Sequence, residues 1–432
     1  MVNDLAFQRD KYKHLTDEEW RWMLQQVEGR ERTADKLPAF ASIPDWWYPV
    51  RLSCEQCSSE LTAKYKAHLS GEAGLSAKRS NSVSGLSAKR SLLDLTGGYG
   101  VDTYFLSEHF DHTDYVEQDA ELCRIVEHNL KLKIKNSKLK IHNASAEEFL
   151  REAGRYDLIY LDPARRNSHG GKVFRLADCS PDVTKLLPIL LDHLTPDGQI
   201  LLKLSPMLDI SQALKELSAF SLQHSEDNLQ WSVFVVAVKN EVKEVLLLSH
   251  QLSAFSFQPT ITAIDLAEPE KAFIFTREEE QKSPFNFLFS PFTFLYEPNA
   301  AILKSGAYKL VGERFGLQKL DVNTHLYVSE KLIENFPGRV WKVNSQFTIH
   351  NSQITNHQSP GASSRQTGGA ASAEKGLNNH QSQITNANIV CRNYPLTAEQ
   401  LKKKLKLRDG GTTFVIGCRV QGKPTLLLAE RV

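Results

Sequence analysis

Leu92-Leu93-Asp94-Leu95-Thr96-Gly97-Gly98-Tyr99-Gly100-Val101-Asp102 reads as a buried strand that ends in an acid, turns on three glycines and opens a helix. Glycine lets the backbone take positive φ and come close to a ligand, and a helix N-terminus presents unpaired N–H groups. A pyrophosphate is the ordinary guest of such a turn, but Asp94 would repel it, whereas an ammonium group would suit it. A ligand with an amino-acid end fits better. Glu117 closes the next strand about 20 residues on, where an acid can accept hydrogen bonds from both ribose hydroxyls. The plain structural reading is a tight turn and a surface acid, and it leaves that spacing unexplained.

From Ser91 to about Ser249, short apolar strands alternate with helices. The strands are Leu92–Leu95, Asp114–Glu117, Leu139–His142, Leu158–Leu161 and Ile200–Leu204, with helices expected at 103–108, 120–130, 146–152, 185–193 and 211–217. This alternation specifies an α/β, Rossmann-like domain over 91–250 around a parallel sheet. Trp231–Val238 and Val242–Ser249, split by Lys239-Asn240-Glu241, read as a closing hairpin.

The flanks differ. Residues 1–70 read as helical: Thr16 and Glu19 form a capping box, and a further helix is expected from Cys54 to His68. Gly-Leu-Ser-Ala-Lys-Arg-Ser occurs twice within 71–90, a small-residue linker or insertion. Residues 251–344 mix β-prone runs with a helical Asn299–Phe315. Residues 345–388 are rich in Ser, Asn, Gln and Gly, a composition expected to stay disordered. Residues 389–432 return to strand, helix and two strands.

The 432 residues suggest about three domains. Lys+Arg 52 against Asp+Glu 51 excludes global attraction to polyanions, so any nucleic-acid contact must be local. No apolar run has membrane-spanning length, and the first twelve residues lack a secretory signal's apolar stretch. Six cysteines with one close pair point to a reducing cytoplasm. That pair, Cys54 and Cys57, has no second pair at zinc-finger distance, so no structural metal is expected.

The fourth strand ends in Asp162-Pro163-Ala164-Arg165-Arg166. Ligands bind beyond the carboxyl ends of parallel strands, so Asp162 is placed to accept a hydrogen bond from a substrate amine. Pro163 stiffens the loop. A helix cap is the bland alternative for Asp162.

Together, Asp94–Gly100, Val116-Glu117 and Asp162–Arg165 resemble the class I S-adenosylmethionine-dependent methyltransferases. Leu52–Glu60, Tyr296–Ile302 and Leu405–Gly411 resemble a bacterial subgroup with a ferredoxin-like and a C-terminal THUMP-like domain. The resemblance implies that Asp94, Thr96, Gly97, Gly98 and Gly100 line the methionine end of S-adenosylmethionine, and that Glu117 binds its ribose. Asp162 would lie at the cofactor's reacting end. Many such enzymes place an Asp after the third strand for the adenine amine; here Ser145 stands nearby. Asp-Pro-Ala-Arg also resembles a motif of RNA uracil-C5 methyltransferases, whose cysteine nucleophile follows the next strand. This chain has Ser205-Pro206-Met207 there, and Cys179 has no obvious base beside it. Transfer to a nitrogen, with Asp162, Pro163 and Arg165 at the reacting edge, fits better.

Lys402, Lys403, Lys404 and Lys406 crowd one short helix, and the THUMP-like resemblance implies RNA as their partner. Arg165, Arg166, Lys172 and Arg175 would add phosphate contacts at the catalytic edge. A non-catalytic RNA-binding scaffold, or an enzyme acting on a protein or small molecule, remains open.

Overall fold

The computed structural model describes residues 9–71, 89–133, 138–165, 175–223, 229–251, 259–288, 291–350, 353–357 and 385–432. The chain divides into two compact units, Met1–Val236 with Lys243–Pro259, and Ala237–Val242 with Thr260–Val432.

Seven strands organise the first unit: β1 (Ser91–Asp94), β2 (His112–Glu117), β3 (Leu139–Asn143), β4 (Tyr156–Leu161), β5 (Leu194–Leu204), β6 (Leu229–Val238) and β7 (Glu241–Gln251). Their spatial order is β6–β7–β5–β4–β1–β2–β3. β1 pairs in parallel with both β2 and β4, and the parallel run continues to β3 and β5. β7 enters antiparallel beside β5. The expected α/β architecture and closing hairpin are therefore present. The strand order reverses beside β1, so the ends of β1 and β4 open a crevice there. Leu92, Leu93, Leu158, Ile159, Ile200 and Leu201 are fully buried, which is why these strands read as continuous apolar runs.

The helices of this unit are α1 (Asp17–Thr33), α2 (Pro38–Ala41), α3 (Arg51–Gln56), α4 (Glu60–Gly71), α5 (Val101–Ser107), α6 (Ala120–Lys133), α7 (Ala146–Phe149), α8 (Val183–Asp192) and α9 (Ile210–Gln223). The capping box of Thr16 and Glu19 forms as expected. The single helix expected over 54–68 is instead two, α3 and α4. Cys57 is extended at φ −60°, ψ 159°, and the Ser59 hydroxyl accepts the Thr62 N–H, starting a new helix. The N-terminal helices are not a separate body. Phe40, Trp46, Tyr48, Cys54 and Ala63 share one core with Tyr99, Phe105, Tyr115 and Val126.

In the second unit, β10 (Phe294–Pro298) pairs with β12 (Thr324–Ser329) and β13 (Gly338–His350); β8 (Ile261–Asp265), β9 (Phe273–Phe275) and β11 (Gln318–Asp321) precede these partners in the chain. β13 also pairs with β17 (Lys423–Arg431), which pairs with β16 (Thr413–Val420), and β16 with β15 (Asn388–Cys391). The regions expected as separate before and after the low-complexity stretch thus share one sheet. The helical stretch expected at 299–315 splits into α11 (Ala300–Ser305) and α12 (Leu310–Arg314), after α10 (Arg277–Lys282), because Gly306 takes φ +87°.

The stretch expected to be disordered from 345 begins otherwise. β13 runs on to His350 and pairs antiparallel with β14 (Gln353–His357), matching Ile349 to Ile354 and Thr348 to Thr355. The β-branched pairs Thr348-Ile349 and Ile354-Thr355 favour that ladder over coil. Residues 358–384, and 72–88 of the expected linker, lie outside the described residues. No described helix is long and apolar enough to cross a membrane.

Candidate active site

The crevice at the ends of β1, β2, β4 and β5 is a cavity of about 980 Å³. Thr96, Gly97, Gly98, Gly100, Glu117, Ser145, Asp162, Pro163 and Arg175 all line it, whereas Asp94 and Arg165 do not.

The turn needs its glycines. A Cβ on Gly97 would lie 2.0 Å from Cε2 of Tyr115, and Gly100 takes φ +73° as it caps α5. The Tyr115 hydroxyl donates to the Gly98 carbonyl at 2.6 Å, fixing the turn from below. Glu117 accepts the Gly98 N–H at Oε2 and the Asp119 N–H at Oε1, each at 2.9 Å. Each carboxylate oxygen keeps a further lone pair for a ligand hydroxyl. Thr96 Oγ1 accepts the Asp162 N–H at 2.6 Å.

Asp94 departs from its expected place. It is 1% exposed and does not line the cavity; its oxygens accept the Thr96 N–H at 3.0 Å and the Thr103 hydroxyl at 2.6 Å. It builds the turn from behind. Burial pushes its carboxyl up to about 7 against those two hydrogen bonds. Ser145 lines the cavity but caps α7, accepting the Glu148 N–H at 3.2 Å and donating to Glu148 Oε2 at 2.9 Å. Its hydroxyl proton is therefore committed, and one lone pair is left to accept from a ligand.

Arg165 belongs to a two-residue ladder, Ala164–Arg165 against Cys179–Ser180. Arg166 and Lys172 lie outside the described residues. Cys179 is buried in the cavity wall, its thiol 3.7 Å from the Arg175 carbonyl.

Sequence reading missed the floor of the cavity. Lys203 of β5 places Nζ 2.5 Å from Asp162 Oδ2 and 3.7 Å from Asp102 Oδ2. Asp102 also accepts the Tyr160 and Ser58 hydroxyls at 2.7 Å each. Burial would raise the Asp102 carboxyl, but Lys66 and Lys203 outweigh it and hold it below the usual carboxylate range. Leu52, Ser53, Gln56 and Cys57 bring the α3 region into the wall. A lysine inside the apolar run Ile200–Leu204 was the available signal. Among the described residues no group of three or more His, Cys, Asp or Glu is arranged to hold a metal.

In the second unit, α13 (Ala398–Leu405) buries Leu401 against Val415 and Leu426 and turns its lysines outward. The basic run is not all helical: Lys406 caps α13 at φ +55°. Lys402, Lys403 and Lys406 line a shallow recess, and Lys402 is paired with Asp409.

A solved structure of a candidate methyltransferase from Porphyromonas gingivalis W83 is 30% identical to this chain, covering 97% of it and 92% of itself at a TM-score of 0.75. A family model described as a ferredoxin-like domain matches residues 294–337, and one described as THUMP domain-like matches 371–431. The chain belongs to the class I S-adenosylmethionine-dependent methyltransferases, in the group with ferredoxin-like and THUMP-like domains. An Aquifex aeolicus tRNA (m1A58) methyltransferase matches at 14% identity over 46% of this chain and 71% of its own, TM-score 0.31. A Streptococcus thermophilus rRNA methylase matches at 12% over 39% and 91%, TM-score 0.30. Neither overlap is extensive enough to bear on substrate. No curated protein matches significantly.

Proposed function

We propose that the protein uses S-adenosylmethionine to methylate a nitrogen of an RNA base, in tRNA or rRNA. The observation that carries this reading is the Thr96–Asp162 hydrogen bond, which joins the glycine turn and Asp162 in one cavity with Glu117. The residues suit the cofactor: the turn admits no Cβ at Gly97, and Glu117 stands beside Gly98 to receive ribose hydroxyls. When bound, S-adenosylmethionine supplies a methyl carbon on a sulfonium, whose sulfur keeps the bonding pair as a nitrogen lone pair attacks. Asp162 accepts the N–H of that nitrogen and holds its lone pair in line, so positioning does most of the work. Pro163 stiffens the loop, and Arg165 follows Ala164 of the cavity wall.

RNA is supported by the outward lysines of α13 and by the THUMP-like match over 371–431. Their charge would grip phosphates.

The test is mass spectrometry of nucleosides from a strain lacking the gene. One N-methylated nucleoside should vanish, return with the wild-type gene, and stay absent with Asp162→Ala. Loss of one positioning group costs about a hundredfold in rate. An unchanged nucleoside profile in the deletion strain would overturn the RNA reading.

A further inference from the structure

Asp162 is the outer end of a buried chain of alternating charge. Lys203 Nζ lies 2.5 Å from Asp162 Oδ2, and behind it Asp102 Oδ2 lies at 3.7 Å. Lys66, 0% exposed, lies 3.2 Å from Asp102 Oδ1 and 2.8 Å from Glu244 Oε1. Lys203, Asp102 and Asp162 line the cavity, while Lys66 and Glu244 lie behind it. Three carboxylates alternate with two ammonium groups, and each cation stands between two anions.

That arrangement fixes what the cavity offers a substrate. Burial works against the Lys203 charge, but Asp162, Asp102 and Glu244 outweigh it and keep the ammonium protonated. Asp162 is therefore paired with a cation that it shares with Asp102. Its Oδ1 meets no donor among the described residues, and the three-proton ammonium of Lys203 spends one N–H on Asp162. The pair thus brings an acceptor oxygen and a charged donor to the wall of one cavity.

We propose that Lys203 and Asp162 act together as the acceptor-reading pair, selecting a neutral group that carries an N–H beside an acceptor atom. A nucleobase edge has this pattern. A substrate ammonium, such as a lysine side chain, would set a second cation against Lys203 and leave its spare N–H unmatched. Lys203 is then a specificity-determining residue, and the assignment rests on Asp162 meeting the methylated nitrogen.

The test follows labelled methyl from S-adenosylmethionine into two acceptors, RNA from a strain lacking the gene and poly-L-lysine, using the full chain. Wild type should label RNA and leave poly-L-lysine unlabelled. Lys203→Met should lower kcat on RNA about 30-fold, as expected for one lost charged hydrogen bond, with S-adenosylhomocysteine affinity within about threefold. Lys203→Arg, which keeps the cation, should recover part of that rate. Wild-type kcat in Lys203→Met overturns the role of Lys203 and leaves the RNA-methylation reading intact. Label entering poly-L-lysine as well as RNA overturns the selection even if Lys203→Met does not fold. Wild type that labels no RNA overturns the RNA reading itself, and this inference with it.

Discussion

Thr96 Oγ1 accepts the backbone N–H of Asp162 at 2.6 Å, which ties the turn after β1 to the loop after β4. Thr96→Val keeps the shape and removes the acceptor, leaving a partly buried N–H without a partner at a cost of about 1–3 kcal/mol. The melting temperature should fall by several degrees and methyl transfer by about tenfold, because the two halves of the site lose register. Thr96→Ser should restore both. Unchanged calorimetric melting and unchanged rate in the valine variant would show that the link is incidental.

Glu117 holds the Gly98 N–H at 2.9 Å and remains open to the cavity. Glu117→Ala removes the acceptor proposed for the ribose and orphans that N–H. S-adenosylhomocysteine affinity, read by titration calorimetry, should drop at least about tenfold, since hydrogen bonds to a charged group are worth about 1.5–3 kcal/mol. Wild-type affinity in this variant would remove Glu117 from the cofactor site.

The Asp94 carboxyl, pushed up to about 7 by burial, makes a pH prediction. Its ordinary value is 3.8, so the folded chain binds this proton more tightly than the unfolded one. The stability it contributes is complete below about pH 4 and is lost as pH rises towards about 7; the full difference is on the order of 4 kcal/mol. Asp94→Asn keeps an acceptor for the Thr96 N–H and can donate to Thr103, but it cannot ionise. The melting temperature of this variant should therefore gain on wild type between pH 5 and about pH 7 and level off above. A constant difference across that range would mean Asp94 is already ionised at pH 5.

Much of this was legible because local signals agreed. The strand–acid–glycine run at 91–100, the acid at Glu117 and the β16 span Thr413–Val420 all follow from short-range pattern. The break at Cys57 was legible too, since Ser58-Ser59-Glu60 is a capping sequence, but the apolar spacing on either side masked it. The partners of Lys66, Lys203 and Glu244 could not be read. Lys203 is a charge inside an apolar run, which signals a buried partner without naming it, while Lys66 and Glu244 stand among other charged residues. Lys66 and Glu244 are 178 positions apart, and only the fold brings them together. Asp94 was misplaced for a related reason: an acid at a strand end is compatible with facing the ligand or the turn, and the Thr103 hydroxyl decides the matter.

The lysines of α13 carry a salt prediction. Replacing Lys402, Lys403, Lys404 and Lys406 with Gln should weaken RNA binding and lower the slope of log affinity against log salt by roughly 2–3, because fewer counterions are released. The Lys402–Asp409 pair makes Lys402 the smallest contributor. S-adenosylhomocysteine should bind this variant as it binds wild type. Identical RNA affinity at every salt concentration would make the lysine face a solvated surface and nothing more.

Lys66 and Glu244 supply a test of the buried charge chain that is independent of substrate. Lys66 is 0% exposed and donates to both Glu244 oxygens, at 2.8 and 2.9 Å. Lys66→Met fills similar space but leaves Glu244 without its cation and takes one from Asp102. Removing one partner of a buried pair costs about 3–5 kcal/mol, because the remaining charge is stranded in a poorly polarisable interior. A melting temperature lower by on the order of 10 °C is expected for a unit of this size. Glu244→Gln alone should also destabilise, since Lys66 is then left with Asp102 as its only anion. Combined, the two changes remove a cation and an anion together, so the double variant should be more stable than the sum of the singles by about 1–3 kcal/mol. Additive losses in denaturant titrations would mean that the two side chains are neighbours without being energetically paired. A coupled result would show that α4 supplies the cation that holds Glu244 in the interior.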